Sequence, residues 1–139
     1  MHPLRELVKN KKLFSEIAEK HGTPLYIYDR RRIHENVTKL SNALSNNFEN
    51  FHICYAIKSN SNPHLIREMR EAFPAMGGDC SSPGEIYAAE LSGISPSECI
   101  YTGNYESKTD FIDALTKGCN INLDDITSLD RLKVVGIPE

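Results

Sequence analysis

The sequence predicts an α/β fold of parallel strands, the first half of a (β/α)8 barrel preceded by an N-terminal helix and a short strand. Three observations lead there. Strand-like runs begin at residues 51, 75, 98 and 119, and a stretch of helical periodicity follows each. Strands that alternate with helices pair in parallel through crossovers, and nothing in the spacing suggests a hairpin. The chain has 139 residues, whereas a whole barrel needs about 250, so four βα units amount to half of one. A small doubly wound open sheet is the alternative. Against it, YAIKSNSN (55–62) lacks the glycine-rich turn of a dinucleotide or phosphate-loop site.

Each element has its own signal. Leu4, Leu7, Val8, Phe14, Ile17 and Ala18 mark one face of a helix that Gly22 stops. TPLYIYD (23–29) is aromatic and β-branched after a proline and predicts a short strand. Ile33, Val37, Leu40, Leu44 and Phe48 then recur at steps of three and four, an amphipathic helix. FHICYAIK (51–58) is the first barrel strand, followed by Asn62 as N-cap, Pro63 at the first helical position, and Leu65, Ile66, Met69 and Phe73 on one face. AMGGDC (75–80) is a weaker second strand. Ser82 and Glu85 after it have capping-box spacing around Pro83, and that helix ends at Gly93. ECIYTGN (98–104) is the third strand, and its helix runs from a Ser107/Asp110 capping pattern to Gly118. CNINLD (119–124) is the fourth, leading to a helical stretch around Ile126, Leu129 and Leu132. The closing VVGIPE resembles a connection into another strand, so the chain is expected to be the N-terminal piece of a longer fold.

Composition narrows the function classes. The chain is 40% hydrophobic and 25% charged with no low-complexity tract, which is ordinary for a globular protein. A formal net charge of −3 argues against a general nucleic-acid binder. The one dense basic run, Arg30–Arg32, reads as a solvated helix face. No apolar run approaches the roughly 18–20 residues that span a bilayer, and a cytoplasmic location is the default expectation. Cys54, Cys80, Cys99 and Cys119 show no metal-site spacing and fall in or beside strands. They read as small buried hydrophobes in a reducing compartment, and no metal site is expected.

In a parallel barrel the chemistry gathers at the carboxyl ends of the strands. Lys58, Asp79, Asn104 and Asp124 fall at or just past such ends. A lysine in a partly dehydrated site becomes an amine nucleophile able to form a Schiff base, because burial disfavours its ammonium form. The plainer reading is that strand ends simply carry polar residues, with the lysine stem covering apolar surface while its head reaches water.

The surrounding text favours the chemical reading. TPLYIYD (23–29), YAIKSNSNPHLIREM (55–69) and GGDCSSPGEIYAAELSGISPSECIYTGN (77–104), in this order, resemble the fold-type-III pyridoxal-phosphate decarboxylases of amino acids. The branch acting on diaminopimelate is the most similar. The resemblance runs from about Thr23 to the end of the chain. It implies an alanine-racemase-like barrel in which Lys58 holds pyridoxal 5'-phosphate as a Schiff base, Ala56 lines the cofactor side, and Asp79 stands near both. Glu85 matches an acidic position nearby and is equally well read as the capping partner of Ser82, while Asn104 ends the third strand.

The same resemblance divides the chain into residues 1–29, a helix and a strand that belongs to the family's β-domain, and residues 30–139, the N-terminal half of the cofactor-binding barrel. On the same resemblance, the family's C-terminal β-domain is expected to lie outside this sequence. The family's ring-stacking histidine, phosphate cup and pyridine-nitrogen glutamate have no counterpart in this sequence. His2, His21, His34, His52 and His64 do not fall where the stacking histidine would, and read as surface or packing residues. The chain alone is expected to be inactive, with a small amino acid as the substrate of the whole enzyme and a homodimer as its assembly. Ornithine or arginine decarboxylation is an alternative, as is a non-catalytic truncated partner of a full-length homologue.

Overall fold

A computed structural model describes residues 9–104 and 107–135. Leu4, Leu7 and Val8 of the first predicted helix lie outside the described residues. Helix α1 (Lys11–His21) half-buries Phe14, Ile17 and Ala18 and stops at Gly22, whose φ of 80° lets its N–H reach Ala18 O at 2.8 Å. Residues 23–29 form no strand, which corrects the expectation for TPLYIYD: 23 and 24 make a bend and 25–29 take no regular structure. A strand needs a neighbour to receive its backbone hydrogen bonds, and none of the four strands pairs with this segment. Tyr26 is accordingly 90% exposed.

Helix α2 (Arg30–Ser45) begins where the Asp29 carboxylate accepts the Arg32 N–H at 3.2 Å. It half-buries Ile33, Val37 and Leu44 and leaves Leu40 exposed, while Phe48, expected on the same face, lies beyond the helix end and is exposed. Strand β1 (Cys54–Ala56) passes into a single 3-10 turn (Ile57–Ser59). Helix α3 (Pro63–Ala72) follows, capped by the Asn62 side chain, which accepts the His64 N–H at 3.0 Å. Then come β2 (Gly77–Cys80), α4 (Pro83–Leu91), a 3-10 turn (Pro96–Glu98), β3 (Cys99–Tyr101), α5 (Lys108–Thr116), β4 (Asn120–Ile121) and α6 (Ser128–Val135). The Ser82 and Ser107 hydroxyls accept the Glu85 and Asp110 N–H groups, as the capping patterns predict.

The four strands form one parallel sheet in the order β1-β2-β3-β4. Side chains alternate across it. Tyr55, Cys80, Cys99, Tyr101 and Ile121 face the helices and meet Ile66, Ile86, Ala89, Ile94 and Ala114 in a single core. Cys80, Cys99 and Cys119 are buried free thiols, as expected of small hydrophobes. The Cys80 thiol is pushed up by its hydrogen bond with Cys99 and by burial, and burial carries Cys119 to about 11. The opposite face carries Cys54 and Ala56 of β1, Gly77 and Asp79 of β2, Ile100 of β3 and Asn120 of β4. All but Gly77 are half-buried or exposed, so this is the inner, barrel-facing side.

Below the sheet, Arg70 fastens the amino ends of β2 and β3 together. Its guanidinium donates to Met76 O at 2.7 Å and twice to the Glu98 carboxylate at 2.9 Å. Both bonds to Glu98 come from Nη2 while Nη1 holds Met76 O, so the guanidinium is fixed from two sides. Glu98 in turn accepts the Ser95 N–H at 2.9 Å, and its carboxyl is held below the ordinary value, first by Arg70.

Candidate active site

The carboxyl ends of β1 and β2 open onto one rim. Ala56 and Asp79 are direct partners across the ladder, so Asp79 lies two residues from Lys58 in register. Lys58 is not the last residue of a strand, as the sequence reading has it. It stands in the 3-10 turn after β1. Ile57 drives its side chain fully into the core, and the tight turn sends the next side chain the other way, into solvent. The dehydrated setting expected for Lys58 is therefore not supplied by the described residues, a second correction. The physical cause is the open inner face, where Ala56, Asp79 and Ile100 are themselves only half-buried.

The turn that carries Lys58 is held at several points. The Tyr55 hydroxyl donates to Asn60 O at 3.3 Å, closing the chain over the turn from the strand side. The Asn60 side chain donates through Nδ2 to the Tyr28 hydroxyl at 3.0 Å, and its Oδ1 accepts the Asn62 N–H at 3.1 Å. Asn62 then caps α3. Among the described residues Lys58 itself makes no hydrogen bond or ion pair, so its amine is available. Burial pushes the Tyr55 phenol up, which keeps its proton on the bond to Asn60. Beside the rim, burial and then Asp79 push the Cys54 thiol up, so it stays protonated and non-nucleophilic at neutral pH.

Other strand-end residues divide differently. The Glu85 carboxylate accepts the Ser81 N–H at 2.8 Å, one residue before the N-cap Ser82, so it is engaged by the backbone at the start of α4 but not through the Ser82 N–H that a capping box would use. Asn104 and Asp124 are exposed, and β4 ends at Ile121, short of Asp124. A cluster invisible in the linear pattern lies between α2 and α3. The Arg30 guanidinium bonds Glu68 and reaches Glu71 at 2.6 Å, while His34 Nε2 meets Glu68 at 2.9 Å. His34, Glu68 and Glu71 have metal-ligand spacing, but the guanidinium already engages both carboxylates. Arg30 is thus tied to an acidic pair rather than simply solvated. The one hint was sequence spacing: Arg30 and His34 are one turn apart on one helix, as are Glu68 and Glu71 on the next.

The chemistry of the rim fits an aldehyde-bearing cofactor. A primary amine free of partners is the group that captures an aldehyde. The small side chain of Ala56 leaves the neighbouring surface flat, and the Asp79 carboxylate supplies negative charge at the same rim.

Residues 31–136 match the family described as pyridoxal-dependent decarboxylase, pyridoxal binding domain. The diaminopimelate decarboxylase of Methanothermobacter thermautotrophicus is 39% identical over 120 residues, covering 86% of this chain and 28% of that enzyme. The crystal structure of diaminopimelate decarboxylase from Helicobacter pylori complexed with L-lysine is similar at a TM-score of 0.78 with 28% identity, covering 88% of this chain and 30% of that one. Lysine/ornithine decarboxylase from Vibrio vulnificus complexed with putrescine gives a TM-score of 0.71 with 25% identity, over 88% of this chain and 32% of that one. The chain thus spans less than a third of the length of these relatives. Its four parallel βα units are a part of their barrel, as the alternation of elements predicts.

Proposed function

We propose that this chain, which belongs to the pyridoxal-dependent decarboxylase family and carries its pyridoxal-binding domain, is the segment of an amino-acid decarboxylase that captures the cofactor aldehyde through Lys58. The observation that carries the reading is the placement of a partner-free lysine on the turn after β1, with Asp79 in register beside Ala56. When bound, pyridoxal phosphate supplies an electron-accepting ring that draws off the electron pair left as carbon dioxide departs. Lys58 Nζ, once it has given up its proton, holds the aldehyde carbon at the rim. Asp79 contributes negative charge that favours a cationic ring nearby, and Ala56 leaves room for the ring to lie close to the strand.

The substrate of the whole protein is proposed to be meso-diaminopimelate, giving L-lysine and carbon dioxide. The identity with diaminopimelate decarboxylases supports this. Ornithine or lysine is the second reading, supported by the likeness to the Vibrio vulnificus enzyme. A cytoplasmic homodimer is part of the same proposal, and residues 30–139 are its barrel segment. The isolated chain is expected to capture the cofactor without turnover.

Borohydride reduction followed by peptide mapping tests the assignment. The expected result is one pyridoxyl adduct at Lys58 that disappears in Lys58→Ala, with no carbon dioxide released from meso-diaminopimelate by the chain alone. An adduct that persists in Lys58→Ala removes the lysine from the site.

A further inference from the structure

We infer that Asn60 is the positioning residue of the Lys58 turn, and that Tyr28 acts on the lysine through it. The inference rests on the cofactor-capture reading and adds a residue and a coupling to it. Four short-range facts carry it. Lys58 has no partner of its own among the described residues, so the backbone of the turn is what sets where its side chain starts and which way it leaves. That backbone is closed at Asn60, whose carbonyl accepts the Tyr55 hydroxyl. The Asn60 side chain uses both ends at once, Oδ1 on the Asn62 N–H and Nδ2 on the Tyr28 hydroxyl. Asn62 in turn fixes the start of α3.

No other residue type reproduces this set. The site needs an acceptor two residues before the N-cap, as an Asx turn requires, and a donor pointing the opposite way. Aspartate lacks the donor, serine lacks the reach to Tyr28, and alanine lacks both. The Tyr28 bond spans 32 residues and joins the 23–29 segment to the rim. None of the four strands pairs with that segment, so the hydroxyl is an anchor for it beside the lysine. A turn held through Tyr55, Asn62 and Tyr28 fixes the direction in which the Lys58 side chain leaves the backbone and so narrows the volume its amine searches, and capture of a carbonyl depends steeply on such placement.

The test compares the wild-type chain with Asn60→Ala, Tyr28→Phe and the double variant. One readout is the rate at which pyridoxal phosphate condenses with the Lys58 amine, with loss of water, scored by borohydride quench and peptide mapping. The other is amide hydrogen exchange across residues 57–62 without any cofactor. Asn60→Ala is expected to slow adduct formation about tenfold and to raise exchange in that window while β2 and β3 keep their protection. Tyr28→Phe is expected to slow it about threefold, with the double variant no slower than Asn60→Ala, because both singles break the same bond.

Wild-type rate and wild-type exchange in Asn60→Ala would overturn the inference, as would effects that simply multiply in the double variant. Should the wild type form no adduct at Lys58, the cofactor reading fails, and the exchange data alone decide whether Asn60 holds the turn. Should Asn60→Ala not fold, Tyr28→Phe removes one hydroxyl from a half-exposed ring and still decides. Raised exchange at 57–62 upholds the inference, and unchanged exchange rejects it.

Discussion

Two adjacent glycines in β2 show how differently neighbouring positions constrain the same strand. A Cβ on Gly77 would stand 2.1 Å from the Glu98 backbone oxygen and 2.7 Å from His52 Nε2, so β2 and β3 would have to part. A Cβ on Gly78 would meet the Cys99 thiol at 3.1 Å, a side chain able to shift slightly. Gly77→Ala should therefore cost about 2–3 kcal/mol and Gly78→Ala about 1 kcal/mol or less, measured by urea unfolding. Equal costs would contradict the packing described. The Arg70–Glu98 pair gives a second residue-scale expectation, in pH. The Glu98 carboxyl is held below its ordinary 4.5 by Arg70 and then by the Ser95 N–H. A group depressed on folding adds stability that is complete above its ordinary value and is lost as pH falls from there through the depressed one. Glu98→Gln should lower the urea midpoint at neutral pH and flatten the acid limb below 4.5. A variant with an unchanged acid limb would show that other carboxylates carry it. Neither Arg70 nor Asn60 stands out in the linear sequence, because their partners lie 28 and 32 residues away. The sequence places Lys58 and Asp79 at the ends of neighbouring strands, and the ladder sets Asp79 in register beside Ala56, a position that only the family resemblance singles out. The exposure of Lys58 is not legible in the sequence, since burial depends on what covers the inner face.

At the scale of elements, the starts of the three capped helices α3, α4 and α5 are legible in the sequence, and strand ends are not. Caps are local chemistry. Asn62, Ser82 and Ser107 each accept an amide two or three residues on, and Gly22, Gly93 and Gly118 adopt φ near 80°, which few other residues tolerate. Strand ends are set by neighbours instead. FHICYAIK is apolar to Ile57 apart from His52, yet only Cys54–Ala56 is strand, because β2 begins only at Gly77 opposite Cys54 and the chain turns into a 3-10 helix at Ile57. TPLYIYD has the right composition and no neighbouring strand at all. Helix caps next to the core should matter most. Ser82→Ala is expected to cost about 1 kcal/mol, more than Ser107→Ala, because α4 places Ile86, Ala88 and Ala89 in the core and its cap is half-buried. Thermal unfolding of the two variants checks the order, and the reverse order would mean that the two caps are not ranked by burial.

The four-stranded sheet has two margins, β1 and β4, that each have one neighbour among the described residues. In a parallel strand alternate residues point their N–H and C=O to opposite sides. Gly77 N–H bonds Ile53 O, so Ile53 and Tyr55 face β2 while Cys54 and Ala56 face the open margin. Next to that margin lies an apolar cleft of about 280 Å³ lined by Val37, Leu40, Ile53, Tyr55, Met69 and Met76. Unpaired backbone beside apolar surface is a template for another strand. The isolated chain should therefore associate as its concentration rises, and amide exchange should report where. In dilute solution Tyr55 is expected to be protected while Cys54 and Ala56 exchange freely. At high concentration Cys54 and Ala56 should gain protection in step with an increase in sedimenting mass. Protection of all three amides in dilute, monomeric chain would mean that the β1 margin is already covered, and the open-margin geometry would then be wrong.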